Sequence, residues 1–270
     1  MSHKILFIGA GNMGAAILSR CLDNKTLAPS DTSVFDKETS KTTPFSKRGV
    51  KVLSNLLPGE NYDAVILAVK PKDIDSVLKQ LASAGQPVGT IISIAAGITI
   101  DSISSSFGNG KGNTGIARVM PNMNALIGAS MSAIAFDKTT DEKGRSLVRA
   151  IFTSVGEIVE VDESKMNAVT GLSGSGPAFV FMFIQALADG GVKVGLTREE
   201  SLKLAIHTVL GSAQTVATSG LHPEVLKDMI ASPGGTTIEG ISSLEHNKFR
   251  FSVMQAVEAA KKKADSMGGK

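Results

Sequence analysis

The chain has 270 residues, enough for one large core or two modest ones, and its 42% apolar and 20% charged side chains describe a globular protein. A formal charge of +3 and 4% aromatics, with no Trp, supply neither the cationic excess nor the stacking rings that a nucleic-acid partner needs. A single cysteine, Cys21, excludes an internal disulfide and fits a reducing compartment. It sits in the helix-like stretch 15–22 and reads as a small buried apolar residue. The basic run Lys261-Lys262-Lys263 reads as a solvated helix face.

In chain order, Met1-Ser2-His3-Lys4 leads straight into the apolar run Ile5-Leu6-Phe7-Ile8, without the regions of a secretion signal, so a cytoplasmic location is expected. Glycines follow, and Ala15-Ala16-Ile17-Leu18 opens a helical pattern, giving strand, loop and helix. Ser33-Val34-Phe35, Ala64-Val65-Ile66-Leu67-Ala68-Val69 and Thr90-Ile91-Ile92-Ser93-Ile94 read as further buried strands, separated by stretches of helical length. Ile116-Ala117-Arg118-Val119-Met120, Ser132-Ala133-Ile134-Ala135-Phe136 and Glu157-Ile158-Val159-Glu160-Val161 continue the series. This alternation predicts an α/β fold with a parallel, doubly wound sheet.

After Asp162 no comparable strand appears, and the rest reads as helices, so the expected domains are 1–162 and 163–270. The segment 178–188 is apolar on nearly every face, and a helix of that kind must be covered on all sides. A domain of about a hundred residues covers it poorly, which predicts a homodimer interface. The most apolar stretch, 177–188, falls short of the roughly 20 residues that cross a bilayer, so no membrane association is expected.

Gly9-Ala10-Gly11-Asn12-Met13-Gly14 has the G-x-G-x-x-G spacing and stands where that spacing carries meaning, between the first strand and the first helix. Gly9 suits the tight turn, Gly11 lets a pyrophosphate approach the backbone, and Gly14 permits close packing of helix on strand. Asp36 ends the second strand, where an acidic side chain holds the ribose hydroxyls of NAD; it also has the position to cap a helix beginning near Glu38. A phosphate charge about 4 Å from Asp36 would be repelled by about 4 kcal/mol at an effective dielectric of 20, and Lys37 offsets this equally, so NADH and NADPH both stay open. The C-terminal ends of the next strands bring Ala68-Val69-Lys70-Pro71 and Ala95-Ala96-Gly97 to the ligand crevice. Lys70 reads as a cleft residue, with an ordinary surface lysine as the alternative.

In the C-terminal half, Gly171-Leu172-Ser173-Gly174-Ser175-Gly176-Pro177 reads as a close crossing that only glycine permits, with a phosphate loop as the alternative. Ser232-Pro233-Gly234-Gly235-Thr236-Thr237 precedes a helix, exposes backbone N–H groups and carries hydroxyls, a nest suited to a small carboxylate.

These segments, with Arg118-Val119-Met120-Pro121-Asn122 and Asp189-Gly190-Gly191-Val192, span nearly the whole chain, which resembles the pyrroline-5-carboxylate reductases. The resemblance implies a Rossmann domain, an all-helical dimerisation domain, and reduction of 1-pyrroline-5-carboxylate to L-proline by NADPH or NADH, the last step of proline synthesis. It implies that Ser232, Gly234, Gly235, Thr236 and Thr237 bind the substrate, with Thr237 on the ring nitrogen. It also implies that Glu163 lies close to the substrate, that Asn55 is near the adenosine ribose, and that dimers sometimes assemble into rings. One departure stands out: the family commonly has Pro-Asn-Thr-Pro-Ala where this chain has Pro121-Asn122-Met123-Asn124-Ala125.

A cyclic imine becomes electron-poor when its nitrogen is protonated, so positioning rather than a strong base is expected to drive the reaction. His207, His222 and His246 lie away from the glycine motifs and are expected to be structural, and no metal-ligand spacing occurs. Two other functions share parts of this pattern. β-Hydroxyacid dehydrogenases carry a catalytic lysine four residues after the last glycine of a similar turn, and here that position is Val180. A silent dinucleotide-sensing protein has no use for the 232–237 nest.

Overall fold

The run Ile5-Leu6-Phe7-Ile8 makes a strand buried on both faces, β1 (Ile5–Ile8), and the domain grows outward from it. The computed structural model describes residues 3–56, 60–85, 87–108 and 114–267. After β1 come α1 (Asn12–Asp23), β2 (Thr32–Phe35), α2 (Thr39–Ser46), β3 (Lys51–Val52), β4 (Tyr62–Leu67), α3 (Ile74–Ser83), β5 (Val88–Ser93), α4 (Ile100–Phe107), β6 (Gly115–Met120), β7 (Ser130–Phe136), α5 (Glu142–Thr153) and β8 (Gly156–Glu160). The eight strands form one sheet in the order β3-β2-β1-β4-β5-β6-β7-β8.

Strands β1 to β6 are parallel, as expected, but β7 runs antiparallel to β6, and β8 is parallel to β7. The reason lies in the connection. A parallel crossover needs a dozen or more residues, and the link from Met120 to Ser130 is a short segment holding a 3-10 turn, Met123–Ile127. α5 then restores a crossover, which makes β8 parallel to β7.

Alternate side chains of each strand feed two cores. Ile5 and Phe7 pack on one face with Ile17, Leu18 and Cys21 of α1 and Phe152 of α5. Leu6 and Ile8 pack on the other with Leu78 of α3 and Ile103 of α4. Cys21 is fully buried, its Sγ 3.1 Å from Ser154 Oγ, and burial pushes the thiol up to about 12, so it behaves as an inert packing residue.

The helices that follow are α6 (Met166–Val169), α7 (Gly176–Lys193), α8 (Arg198–Ser219), α9 (Pro223–Ile230), α10 (Thr236–His246) and α11 (Phe249–Met267). Between α6 and α7 a π-helical turn, Thr170–Gly174, continues the helical path, so the glycine-serine segment is neither a phosphate loop nor a break. A side chain at Gly174 would come within 2.8 Å of Met120 Cε; the glycine permits close approach to the end of β6. Because the path is unbroken, the helix Glu163–Lys193 runs 31 residues at a mean hydropathy of 1.3. By length and composition only it is long and apolar enough to cross a membrane, a test that the core helix of a soluble protein also passes.

The chain divides into two compact units, Met1–Ser175 with Ala259–Lys270, and Gly176–Glu258. Within the second, the buried residues of α7 are Pro177 and Ala188, those of α8 are Ser201 and Ala205, and α9 and α10 have none. Phe181 is 49% and Met182 73% exposed. A helix with that composition and so little cover lacks most of its hydrophobic stabilisation within one chain. α8 starts on a capping box, in which Thr197 accepts from Glu200 N–H and Glu200 accepts from Thr197 N–H.

Candidate active site

The glycine loop is fixed from both sides: Gly9 N–H donates to Phe35 O at 2.7 Å, and Ala68 N–H donates to Ile8 O at 2.8 Å. Gly9 has φ of +102°, and a Cβ there would lie 2.5 Å from Ala68 O, so only glycine makes this turn. At Gly14 a Cβ would meet Gly9 O at 2.2 Å and Ala68 Cβ at 2.9 Å. At Gly11 it would meet no protein atom within 4 Å.

Gly11 faces a cleft of about 420 Å³ and caps α1, whose first turn holds Asn12, Met13 and Gly14 and no acidic residue. The first N–H groups of a helix have no partners within it, and the open space above Gly11 is where an anion would meet them. The residues present therefore fit the pyrophosphate of a dinucleotide.

The same cleft is lined by Gly9, Asp36, Lys37, Ala68, Val69 and Lys70. Asp36 is held twice. Its Oδ2 accepts Ala10 N–H at 2.7 Å and its Oδ1 accepts Glu38 N–H at 2.9 Å. The N-cap of α2 is Glu38, so Asp36 ties the strand end to the glycine loop while closing a turn just before the helix. Glu38 pairs with Lys41 at 2.7 Å. That pairing raises the Lys41 ammonium above its ordinary range.

Pro71 begins a 3-10 turn, Pro71–Asp73, that leads into α3. Asn55 is exposed and precedes Leu56, which lines the cleft. Ala95, Ala96 and Gly97 follow β5, Gly97 at φ +77°, and are not among the lining residues. Sequence reasoning missed the wall that α3 supplies: Asp73, Ser76, Val77 and Gln80 line the cleft. Their spacing of three, four and seven is one helical face, which was the available signal.

Glu163 stands at the start of α4 rather than among the residues lining the cleft. Its Oε1 accepts Ile100 N–H at 2.7 Å and pairs with Arg118 Nη1 at 3.3 Å. Arg118 is 5% exposed and also donates to Asn167 Oδ1 at 3.1 Å, while Asn167 donates to Asp265 at 3.0 Å. Glu163 thus neutralises a buried cation and caps a helix. At the departure noted above, Asn122 Oδ1 accepts Asn124 N–H at 3.1 Å, a bond that the family's usual proline would remove.

In the second unit, Ser232 O accepts Gly235 N–H at 3.1 Å and closes a turn through Gly234 at φ +63°. A Cβ at Gly235 would lie 2.3 Å from Ser232 Oγ, so the serine folds over the loop. Gly235 caps α10 without a side-chain cap, which leaves the N–H groups of the first turn, with Thr236 and Thr237, to an incoming anion. Thr236 is exposed and Thr237 half-buried.

Arg250 of α11 braces this loop. It pairs with Glu224 of α9 at 2.8 Å and with Glu245 of α10, the two helices the loop connects. Arg250 and Lys227 together hold the Glu224 carboxyl down to about 2. His222 Nδ1 accepts Glu224 N–H at 3.2 Å and serves as the cap of α9, a structural role. No group of three or more His, Cys, Asp or Glu that could hold a metal ion occurs among the described residues.

Residues 163–267 match the family model for pyrroline-5-carboxylate reductase dimerisation, and residues 4–97 match that for coenzyme F420-dependent NADP oxidoreductases. The chain is 42% identical to the pyrroline-5-carboxylate reductase of Synechocystis, over 100% of both chains. Among solved structures it is similar to the pyrroline carboxylate reductase of Plasmodium falciparum with NADP bound, at a TM-score of 0.88 and 34% identity over 99% of this chain and 98% of that one. It is also similar to a pyrroline-5-carboxylate reductase from Coxiella burnetii, at 0.92 and 30% over 100% of both. The cleft of the first unit and the braced loop of the second both lie inside these matches, and the chain belongs to the pyrroline-5-carboxylate reductase family.

Proposed function

We infer that the chain reduces 1-pyrroline-5-carboxylate to L-proline, with a reduced nicotinamide dinucleotide bound in the cleft at Gly9, Gly11 and Gly14. The observation that carries this is the match over the whole chain, cleft and loop included, to relatives that bear the reductase's name. When bound, the nicotinamide supplies a hydride to the imine carbon, the C=N electron pair passes to the nitrogen, and a proton on that nitrogen completes the amine.

The chain's own residues then have positioning to do, which can supply roughly 7 to 11 kcal/mol of a barrier. The backbone N–H groups of Gly234, Gly235 and Thr236, with Ser232 Oγ, hold the carboxylate. The Thr237 hydroxyl orients the ring nitrogen. Glu163 has Oε1 committed to Ile100 and Arg118, which leaves Oε2 to face the substrate. Asn55 and Asp36 serve the adenosine ribose, Lys70 the phosphates, and the Ala95-Ala96-Gly97 turn leaves room for the nicotinamide.

In this reading the functional division falls at 162, with cofactor residues before it and substrate and dimerisation residues after it. The exposed apolar faces of the second unit meet those of a second copy, and each active site takes its substrate loop at least in part from the partner. Larger rings of dimers are compatible with this interface, and the enzyme works in the cytoplasm.

The purified chain should oxidise NADH or NADPH in proportion to added 1-pyrroline-5-carboxylate and form L-proline. Equal dinucleotide loss with and without the imine refutes the reading.

A further inference from the structure

We propose that Asp36 makes this chain an NADH-preferring enzyme by setting a fixed, hydrogen-bonded carboxylate where the extra phosphate of NADPH would have to sit. The inference rests on the reading of the cleft as the dinucleotide site.

The end of β2 is the position at which this fold meets the adenosine ribose, and Asp36 lines the cleft there, half-buried. Its carboxylate has no freedom to turn away, because Oδ2 accepts Ala10 N–H at 2.7 Å and Oδ1 accepts Glu38 N–H at 2.9 Å. A carboxylate offers about four lone-pair sites. Two are filled by these backbone donors, and two remain to accept the 2′ and 3′ hydroxyls of an NADH ribose. A 2′-phosphate has only acceptor oxygens and negative charge to present to the same atoms.

The opposing cations do not cancel this. Lys41 lines the cleft but is paired to Glu38 at 2.7 Å, so the pair brings no net positive charge to the mouth. Lys37 has no ion-pair partner among the described residues and is exposed, so holding a phosphate would require ordering a long, solvated side chain. A pinned acceptor therefore faces a mobile donor. Moving Asp36 aside would break the two bonds that tie β2 to the glycine loop and to the start of α2.

The test is equilibrium binding to the full-length chain, followed by the fluorescence of NADH and NADPH at about 0.15 M ionic strength, where surface charge is screened over about 8 Å. NADH should bind about ten-fold or more tightly than NADPH, the ratio that one uncompensated charge contact produces in a partly solvated cleft. Asp36→Asn should shrink that ratio at least several-fold, chiefly by tightening NADPH. Asp36→Ser should do the same, and guards against the new amide NH2 facing a backbone donor. Wild-type binding of NADPH as tight as that of NADH overturns the proposal alone, as does an unchanged ratio in both Asp36 variants. Failure of both dinucleotides to bind overturns the cleft reading and the proposal together.

Discussion

Gly11 and Gly14 stand three residues apart at the start of α1, and the same methyl group tests both. At Gly14 an added Cβ lies 2.2 Å from a backbone oxygen, Gly9 O, and 2.9 Å from Ala68 Cβ. Neither is the far end of a flexible side chain, so helix α1 must shift off β1, and overpacking of this kind costs about 1–3 kcal/mol. At Gly11 the added Cβ meets nothing within 4 Å, and φ is −68°, which alanine adopts freely. Gly11→Ala should therefore cost at most about 1 kcal/mol, because alanine is a poorer N-cap than glycine while the less flexible unfolded chain offsets part of the loss. Its methyl group would instead occupy the space above the helix N-terminus and weaken dinucleotide binding about ten-fold or more. The assay is denaturant unfolding of both variants without dinucleotide at one fixed protomer concentration, because the stability of the proposed dimer depends on it, followed by fluorescence titration with NADH. Destabilisation by Gly11→Ala as large as that by Gly14→Ala, or wild-type NADH binding in Gly11→Ala, would refute this assignment of the two glycines.

Thr237→Ala removes the proposed hydrogen bond to a charged nitrogen and should lower kcat by about 10- to 100-fold with a smaller change in KM; steady-state kinetics with wild-type values would remove Thr237 from the mechanism. Glu163→Ala leaves the buried Arg118 with Asn167 but without its carboxylate, and should cost about 1–3 kcal/mol, less than a fully buried pair because the Glu163 side chain is 30% exposed. Unchanged denaturant unfolding would contradict that role. Met182→Glu places a charge on the most exposed apolar residue of the apolar stretch of α7 and should convert the proposed dimer to monomer, read by light scattering at micromolar protein. Glu224 titrates well below its ordinary value of 4.5, so its folded form binds fewer protons than the unfolded chain. Its contribution is present above pH 4.5 and lost as the pH falls toward about 2. Glu224→Gln should flatten unfolding against pH in that window, and an unaltered profile would show that the Arg250 brace is too exposed to matter.

Several strands could be read from continuous apolar runs, such as Ile5-Leu6-Phe7-Ile8, because a strand covered on both faces is mostly apolar. β3 had no such run: Lys51 and Val52 are both exposed at the sheet edge and pair only with Ser33 and Val34. The reversal of β7 depends on a link too short for a crossover, a fact of chain length rather than of side-chain pattern. The glycine loop was legible because Gly9 and Gly14 answer local constraints, a left-handed turn and a close contact. The hold of Asp36 on Ala10, the cap that Glu163 places on α4 and the brace from Arg250 to Glu224 join residues 26, 63 and 26 positions apart, and no local periodicity encodes them. The helix through Thr170–Gly174 was hidden by its glycines, which ordinarily end helices and here let the path lie against Met120.

The most direct test of the account is the fate of the hydride itself. With dinucleotide deuterated at the transferring position and 1-pyrroline-5-carboxylate as substrate, the chain should yield L-proline carrying one deuterium on Cδ, the former imine carbon, in step with dinucleotide oxidation. Proline without deuterium, or dinucleotide oxidised with no proline formed, would contradict it.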